Sequence, residues 1–290
     1  DWSSDVCSSD LRVADQFKNF VSALCASDYV GEVIIIDNES AGRPADLIRH
    51  DKIKLFDFGR NIFVNPAWNF GVEQSRYDRL CIVNDDVVFD LDLFKKLQGQ
   101  VEPTAGIFGL CPGTEDFNQP PVTNGSIDII PWSGQHTYGF GCLMILHKKS
   151  WSKIPEGLDI YYGDNYIFDL QLHHKKINYL ITNMFFQSPM AVTTSDTAIT
   201  GGVLDIETPI YQQIKDKMNL QFNPLEREYQ LACAVPSDIN QHLPILHSLA
   251  NECTTVVELG VRTGVSTRAL LASNCANLYS YDLHLDSTVR

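Results

Sequence analysis

The sequence predicts an α/β fold: an open sheet with crossover connections, followed by the start of a second βαβ unit. Three observations carry this. Strand-like and helix-like patterns alternate from residue 12 to about residue 181. Val33-Ile34-Ile35-Ile36 is a continuous β-branched run, as expected for a strand buried on both faces of a parallel sheet. Near the end of the chain, TVVELGV, a glycine-containing turn, STRALLASN and LYSYDL follow one another as strand, turn, helix and strand.

The elements follow in order. Phe17, Phe20, Val21 and Leu24 recur at helical spacing and predict a helix over about 12–26. Val33–Ile36 is the next strand, and Lys52–Phe58 reads as another. Asn65-Pro66 looks like a helix start with proline in the first turn, running to about Arg76. Leu80–Val83 is the third strand, and Asp90 can cap a short helix through Leu97. Proline and glycine thicken between 103 and 141, which predicts loops around short strands. Cys142–Leu146 is a strand, Asp164 opens a helix to about His174, and Ile177–Ile181 is a strand again. Residues 188–235 are polar with two weak helical patterns and read as a connector.

The first eleven residues, DWSSDVCSSDL, show no apolar periodicity and resemble the translation of a sequencing adapter, so they are expected to be an artefactual leader. The first strand of the sheet is then expected to be missing. Without Asp1, Asp5 and Asp10 the net charge of −14 becomes about −11, and without Cys7 seven of the eight cysteines remain. This acidic balance disfavours a nucleic-acid partner. No apolar run reaches the roughly 18 residues needed to span a bilayer. The cysteines form no C-x-x-C pair, which suggests neither a zinc site nor a disulfide framework; reduced thiols and a cytoplasmic location are the expectation.

In open α/β sheets ligands sit beyond the carboxyl ends of the strands. Asp37-Asn38 and Asn84-Asp85-Asp86 both fall there. Taken singly, each has a plain alternative: an Asx turn for Asn84-Asp85-Asp86 and for Asp37-Asn38, a helix cap for Asp164. Trp132, His136 and Tyr138 either stack on an acceptor sugar or pack locally, and His173-His174 reads as a solvated helix face.

In order and spacing, EVIIIDNES (32–40), NPAWNFGVEQSRYDRLCIVNDDVVF (65–89) and IYYGDNYIFDLQLHHKK (160–176) resemble the GT-A glycosyltransferases, in particular the inverting enzymes of family two, over residues 12 to about 185. The resemblance implies roles. Asp37, with Asn38, contacts the nucleotide; Asn84-Asp85-Asp86 stands in the D-x-D position, where Asp86 holds a divalent Mn²⁺ or Mg²⁺ on the diphosphate. Asp164 is the base that deprotonates the acceptor. The donor would be a nucleoside diphosphate sugar, UDP-sugars favoured, and the acceptor a glycan or other hydroxyl. Two departures stand out: Asn84 replaces the first acid, and Gln187 is the nearest residue to a histidine that often completes the metal site. The chemistry is consistent with these roles. A diphosphate is commonly held by a hard cation on one or two carboxylates, and inversion needs one separate base.

VVELGVRTGVST (256–267) is not the dinucleotide G-x-G-x-x-G, because the glycines are four apart. It resembles motif I of the class I S-adenosylmethionine methyltransferases. The resemblance implies Glu258, Gly260 and Gly264 at the methionine end of S-adenosylmethionine and Asp282 on its ribose. An unrelated glycine turn is the alternative. The expected organisation is therefore a leader (1–11), a glycosyltransferase-like domain (12–187), a connector (188–235) and a partial methyltransferase-like domain (236–290). Two other functions stay open: a non-catalytic glycan- or nucleotide-binding module with a degenerate metal site, or a methyltransferase with an accessory first domain.

Overall fold

The structure, a computed structural model, describes residues 2–8, 14–38, 49–111, 126–132, 136–188, 201–218 and 224–284. It divides into two compact units, Asp1–Ile130 with Gln135–Leu220, and Pro131–Gly134 with Gln221–Arg290.

The first unit opens with β1 (Trp2–Ser8), α1 (Ala14–Ala26), β2 (Val30–Asp37), β3 (Ile53–Asp57), α2 (Val64–Gln74) and β4 (Arg79–Asn84). There follow β5 (Val88–Phe89), α3 (Asp92–Lys96), β6 (Phe108–Leu110), β7 (Asp128–Trp132) and β8 (Leu143–His147). It closes with α4 (Gly163–His173), β9 (Asn178–Thr182), β10 (Phe186–Gln187) and α5 (Val203–Met218). Among the described residues the main sheet runs β3-β2-β1-β4-β8-β6-β9-β7. Strands β3, β2, β1 and β4 are mutually parallel, and β8 runs antiparallel to both β4 and β6. The sheet is thus mixed, with a parallel half that carries the predicted site.

The expectation that the first strand is missing is corrected. Trp2–Ser8 fills that position, with Cys7 opposite Asn84 and Ser8 opposite Asp37. The physical reason is backbone pairing: β2 and β4 each present a buried parallel edge whose N–H and C=O groups need partners, and any extended segment can supply them. Apolar periodicity is not required for that. Residue 1 and residues 9–13, also within or beside the expected leader, lie outside the described residues.

One face of α1 explains how the sheet is covered. Phe17, Phe20, Val21 and Leu24 are buried and pack with Val33, Ile35, Val83 and Phe89 in one core. Phe20 and Phe94 each meet Phe89 edge-to-face, at 5.4 and 5.7 Å. Beneath β2 lies a buried charge. Glu32 is fully buried and receives Lys54 Nζ at 2.8 Å, Arg76 Nε at 2.9 Å and the Arg76 backbone N–H at 2.6 Å. Removing this carboxylate leaves the Arg76 N–H unsatisfied and two cations unpaired. Glu32→Ala is therefore expected to cost about 2–4 kcal/mol of stability, measured by urea denaturation.

Residues 188–235 were expected to be a connector between domains, but α5 belongs to the first unit, which extends to Leu220. Its anchor is Glu207, buried inside the otherwise polar helix. The second unit contains α6 (Pro224–Ala234), α7 (Leu243–Asn251), β11 (Thr255–Leu259), α8 (Val265–Leu271) and β12 (Asn277–Tyr281). β11 and β12 pair in parallel with α8 between them, which is the βαβ unit the sequence predicts. No helix among the described residues is long and apolar enough to cross a membrane.

Candidate active site

The carboxyl end of the parallel half gathers the predicted residues. Asp37 ends β2 and is buried; Asn38 follows it, buried, with Oδ1 accepting the Ile62 N–H at 3.1 Å and Nδ2 near the Phe63 carbonyl at 3.5 Å. Asn38 thus ties the end of β2 to the loop before α2. Asn84 ends β4, and its carbonyl accepts the Val87 N–H at 3.1 Å. Asn84-Asp85-Asp86 is therefore a turn, as the plain alternative has it, standing at the end of a buried strand. Asp85 is buried inside that turn.

Asp86 faces inward. Burial pushes its carboxyl above the ordinary range, partly offset by the Ser188 hydroxyl, which donates to Oδ2 at 3.1 Å. Its own carbonyl accepts Gln16 Nε2 at 3.3 Å. Ser188 reaches this place because β10 pairs antiparallel with β5, with Gln187 opposite Val88. Gln187, named from the sequence as the nearest candidate for a further ligand, is instead exposed. The side chain on Asp86 is that of Ser188, which sequence reasoning missed.

Asp164 stands in the first turn of α4, with Oδ1 accepting the Asn165 N–H at 2.9 Å. His136 Nε2 lies 2.9 Å from Oδ2. Burial alone would raise this carboxyl. The contact with His136, the charge His136 can carry and the Asn165 N–H outweigh it and hold the group below the usual carboxylate range. Between the two acids lies Cys142, whose thiol is pushed up to about 12 by burial first and then by Asp86 and Asp164. Gly141, beside this cysteine, stands against Asp164 Oδ2, and Leu143 pairs with Val83, three residues before Asp86, so the two candidates flank the start of β8 although 78 positions separate them in sequence.

The loop before Asp164 is clamped from two sides. In α2, Asn65 donates through Nδ2 to the carbonyls of Leu158 and Tyr161 at 3.1 and 3.0 Å. From α5, Glu207 accepts the N–H groups of Asp159, Ile160 and Tyr161 at 2.8, 2.9 and 2.7 Å. Asn65 is thus more than the helix start predicted for it: α2 begins one residue earlier, after Phe63 at φ 65°. Glycine at 163 is required, because a Cβ there would collide with the Asn65 amide. A cavity of about 480 Å³ opens beside this site, not in it. Phe58, Arg60, Phe63, Phe70, Lys153 and Leu158 are among its walls, and none of Asp37, Asp86 or Asp164 lines it.

Among the described residues no group of three or more His, Cys, Asp or Glu could hold a metal ion. The donors present are Asp86 and the Ser188 hydroxyl, an all-oxygen set suited to a hard cation. Such an ion would need diphosphate oxygens or water to complete its shell, which is how Mg²⁺ is commonly held on nucleotides. The set fits a cation brought with a nucleotide better than one held by protein alone.

Residues 12–137 match the model of Glycosyl transferase family 2. This stretch is similar to the family 2 glycosyltransferase domains. The chain is a glycosyltransferase on that basis. The match spans Asp37 and Asn84-Asp85-Asp86 and ends before Asp164. Among solved structures, S. aureus TarS 1–349 in complex with UDP aligns with TM-score 0.51 at 9% identity, covering 86% of this chain and 79% of that one. GalNAc-T7 with UDP, GalNAc and Mn²⁺ aligns with TM-score 0.50 at 11% identity, covering 73% of this chain and 50% of that one. At such identities the likeness is one of fold, and that fold is GT-A. No curated protein matches the sequence.

The second candidate site lies in the second unit. Gly260 and Gly264 have φ of 90° and 77°, the left-handed region where glycine carries no Cβ penalty. Glu258 is buried and accepts three hydroxyls, Ser266 and Thr267 of α8 at 2.6 and 2.9 Å and Ser280 of β12 at 2.7 Å. Asp282 accepts the backbone N–H groups of Arg262 and His284 at 2.7 and 3.0 Å. Both acids thus bind the unit's own loop and helix start, and Asp282 closes the glycine turn. Without that turn, residues 260–264 could not hold their two left-handed glycines and Arg262 at φ 51°.

Proposed function

We propose that the first unit transfers a glycosyl group, with inversion, from a metal-bound nucleoside diphosphate sugar to an acceptor hydroxyl of a glycan. The observation that carries this is that Asp86 and Asp164 flank the start of β8 at the carboxyl end of the parallel strands, where Leu143 pairs with Val83 and Gly141 stands against Asp164 Oδ2. One carboxylate for the diphosphate side and one separate carboxylate for the acceptor is the minimum set for such a transfer.

In this proposal Asp86, with Ser188, holds Mn²⁺ or Mg²⁺, and the cation supplies charge stabilisation for the departing diphosphate. Asp37 and Asn38 contact the nucleotide, Asn38 through the loop it orders. Asn84 and Asp85 shape the turn that presents Asp86 to the donor. Asp164, ionised and aimed by the clamped loop before it, takes the acceptor's proton as the new bond forms on the face opposite the leaving group. UDP is the favoured nucleotide, in keeping with the UDP named in the TarS and GalNAc-T7 structures.

Calorimetric titration with UDP, with and without Mn²⁺, tests this. Metal-dependent binding that Asp86→Ala lowers by about 10-fold or more is expected, on the scale of one charge-assisted contact. Because burial raises the Asp86 carboxyl, the ionised group costs the folded protein stability at neutral pH, a cost that begins as pH rises through the unfolded value. Asp86→Ala should therefore bind less while melting no lower than wild type. Binding indifferent to metal and variant would instead favour a non-catalytic nucleotide-binding module, the reading that Asn84 in place of the first acid favours.

For the second unit we propose an S-adenosylmethionine site of the class I type, supported by the parallel βαβ and the two left-handed glycines. Glu258 and Asp282 would shape it by holding the loop rather than by lying free for the ligand.

A further inference from the structure

We infer that His136 is a positioning residue for Asp164: its imidazole fixes the orientation of the carboxylate and favours the ionised form that accepts the acceptor's proton. The inference rests on the reading of Asp164 as the base and deepens it. The family match ends at residue 137, so nothing in it pairs these two residues.

The geometry is restrictive. Nε2 of His136 lies 2.9 Å from Oδ2 of Asp164. The ring is wedged against Phe140 at 5.3 Å and Phe168 at 5.5 Å, which themselves meet edge-to-face at 5.1 Å. Both phenylalanines are fully buried, so the imidazole has little room to turn away. On its other side Oδ2 is closed in by Gly141, where an added Cβ would stand 2.5 Å from it. Oδ1 is occupied by the Asn165 N–H. The carboxylate is therefore packed between the imidazole and Gly141, with Oδ1 tied to its own helix start.

The groups facing Asp164 come from three places. His136 approaches from the loop before β8, the Cys142 thiol from the start of β8, and α5 brings the Tyr211 phenol, whose hydroxyl donates to Asp169 Oδ2 at 2.6 Å. Of these only His136 can carry a positive charge. The thiol and the phenol are both pushed up by burial, and Asp164 pushes them further. They stay neutral and offer no counter-charge. A histidine here that merely filled space would leave the carboxylate's ionisation to burial, which raises it.

The test uses the full 290-residue chain with ¹³C-carboxyl-labelled aspartate. The Asp164 resonance is assigned by its loss in Asp164→Asn and followed through pH in wild type, His136→Gln and His136→Asn. The midpoint is expected to move to higher pH in whichever variant folds, because the counter-charge is gone and burial is not. In parallel, hydrolysis of UDP-N-acetylglucosamine with Mn²⁺, water standing in for the acceptor, should lose about 10- to 100-fold at its plateau. Its acid limb should move the same way as the midpoint. An unmoved midpoint in the folded variants overturns the inference, whatever the rate. If Asp164→Asn hydrolyses the donor as fast as wild type, the base reading fails separately and the positioning role falls with it. If Asp164→Asn is inactive and the histidine variants behave as wild type, the base stands and His136 is only packing.

Discussion

Asp164→Asn is expected to lower transfer by about 10²- to 10⁴-fold, the range for removing a general base, while UDP affinity stays within twofold or so of wild type. The substitution keeps the shape of the side chain and an oxygen for the Asn165 N–H, so lost rate would report lost basicity rather than lost fold. Pre-steady-state turnover with saturating donor separates the two, since a base acts after donor binding. The pH dependence has a definite sign. The carboxyl lies below its ordinary value, so the ionised, active form persists as pH falls and the acid limb lies in the strongly acidic range. A depressed carboxyl also stabilises the fold. That contribution is present above the unfolded value of about 3.9 and is lost as pH falls through the folded value. Asp164→Asn should therefore remove a little stability at neutral pH and none at the acid extreme.

Glu207→Ala is expected to cost about 3–5 kcal/mol and to impair transfer more than donor binding. Its carboxylate, itself buried, satisfies three consecutive N–H groups, of Asp159, Ile160 and Tyr161. Without it those donors lose their partner, and the segment that aims Asp164 keeps only the Asn65 contacts and those of Tyr162 with Thr208 and Tyr211. Glu207→Gln keeps one carbonyl oxygen and should fall between the two. Chemical denaturation reads the stability. Hydrogen exchange at residues 159–161 reads the local effect, with protection lost there and retained in β2 and β4. Equal loss of UDP binding and transfer would show that the loop serves the fold generally and has no special role in placing Asp164.

Much of the fold was legible because the parallel half of the sheet is built from signals that sequence carries. Val33–Ile36 and Leu80–Val83 are apolar runs buried on both faces, and Phe17, Phe20, Val21 and Leu24 mark the face of α1 that covers them. The βαβ over 255–281 was legible for the same reason, with glycines marking its turn. Other features were not. Trp2–Ser8 has no strand pattern and is a strand through backbone pairing alone. The antiparallel direction of β8 leaves no trace in its composition. α5 reads as polar and unattached because its attachments are a buried acid, Glu207, and a buried tyrosine, Tyr211, and burial of that acid depends on partners 46 to 48 positions away.

The same division holds at the site. The sequence by itself determined which residues stand at the ends of the buried strands, Asp37, Asn84, Asp85 and Asp86, and that Asp164 opens a helix. These are local facts: a hydrophobic run that stops, a turn residue, a cap. The tertiary structure alone decided that Asp86 and Asp164 flank the start of β8, that Ser188 rather than Gln187 lies on Asp86, and that His136 lies on Asp164. Each of those pairs joins elements far apart in the chain through strand order, register and helix docking. Such contacts follow from how the whole sheet is assembled, and no local pattern of residue types encodes them.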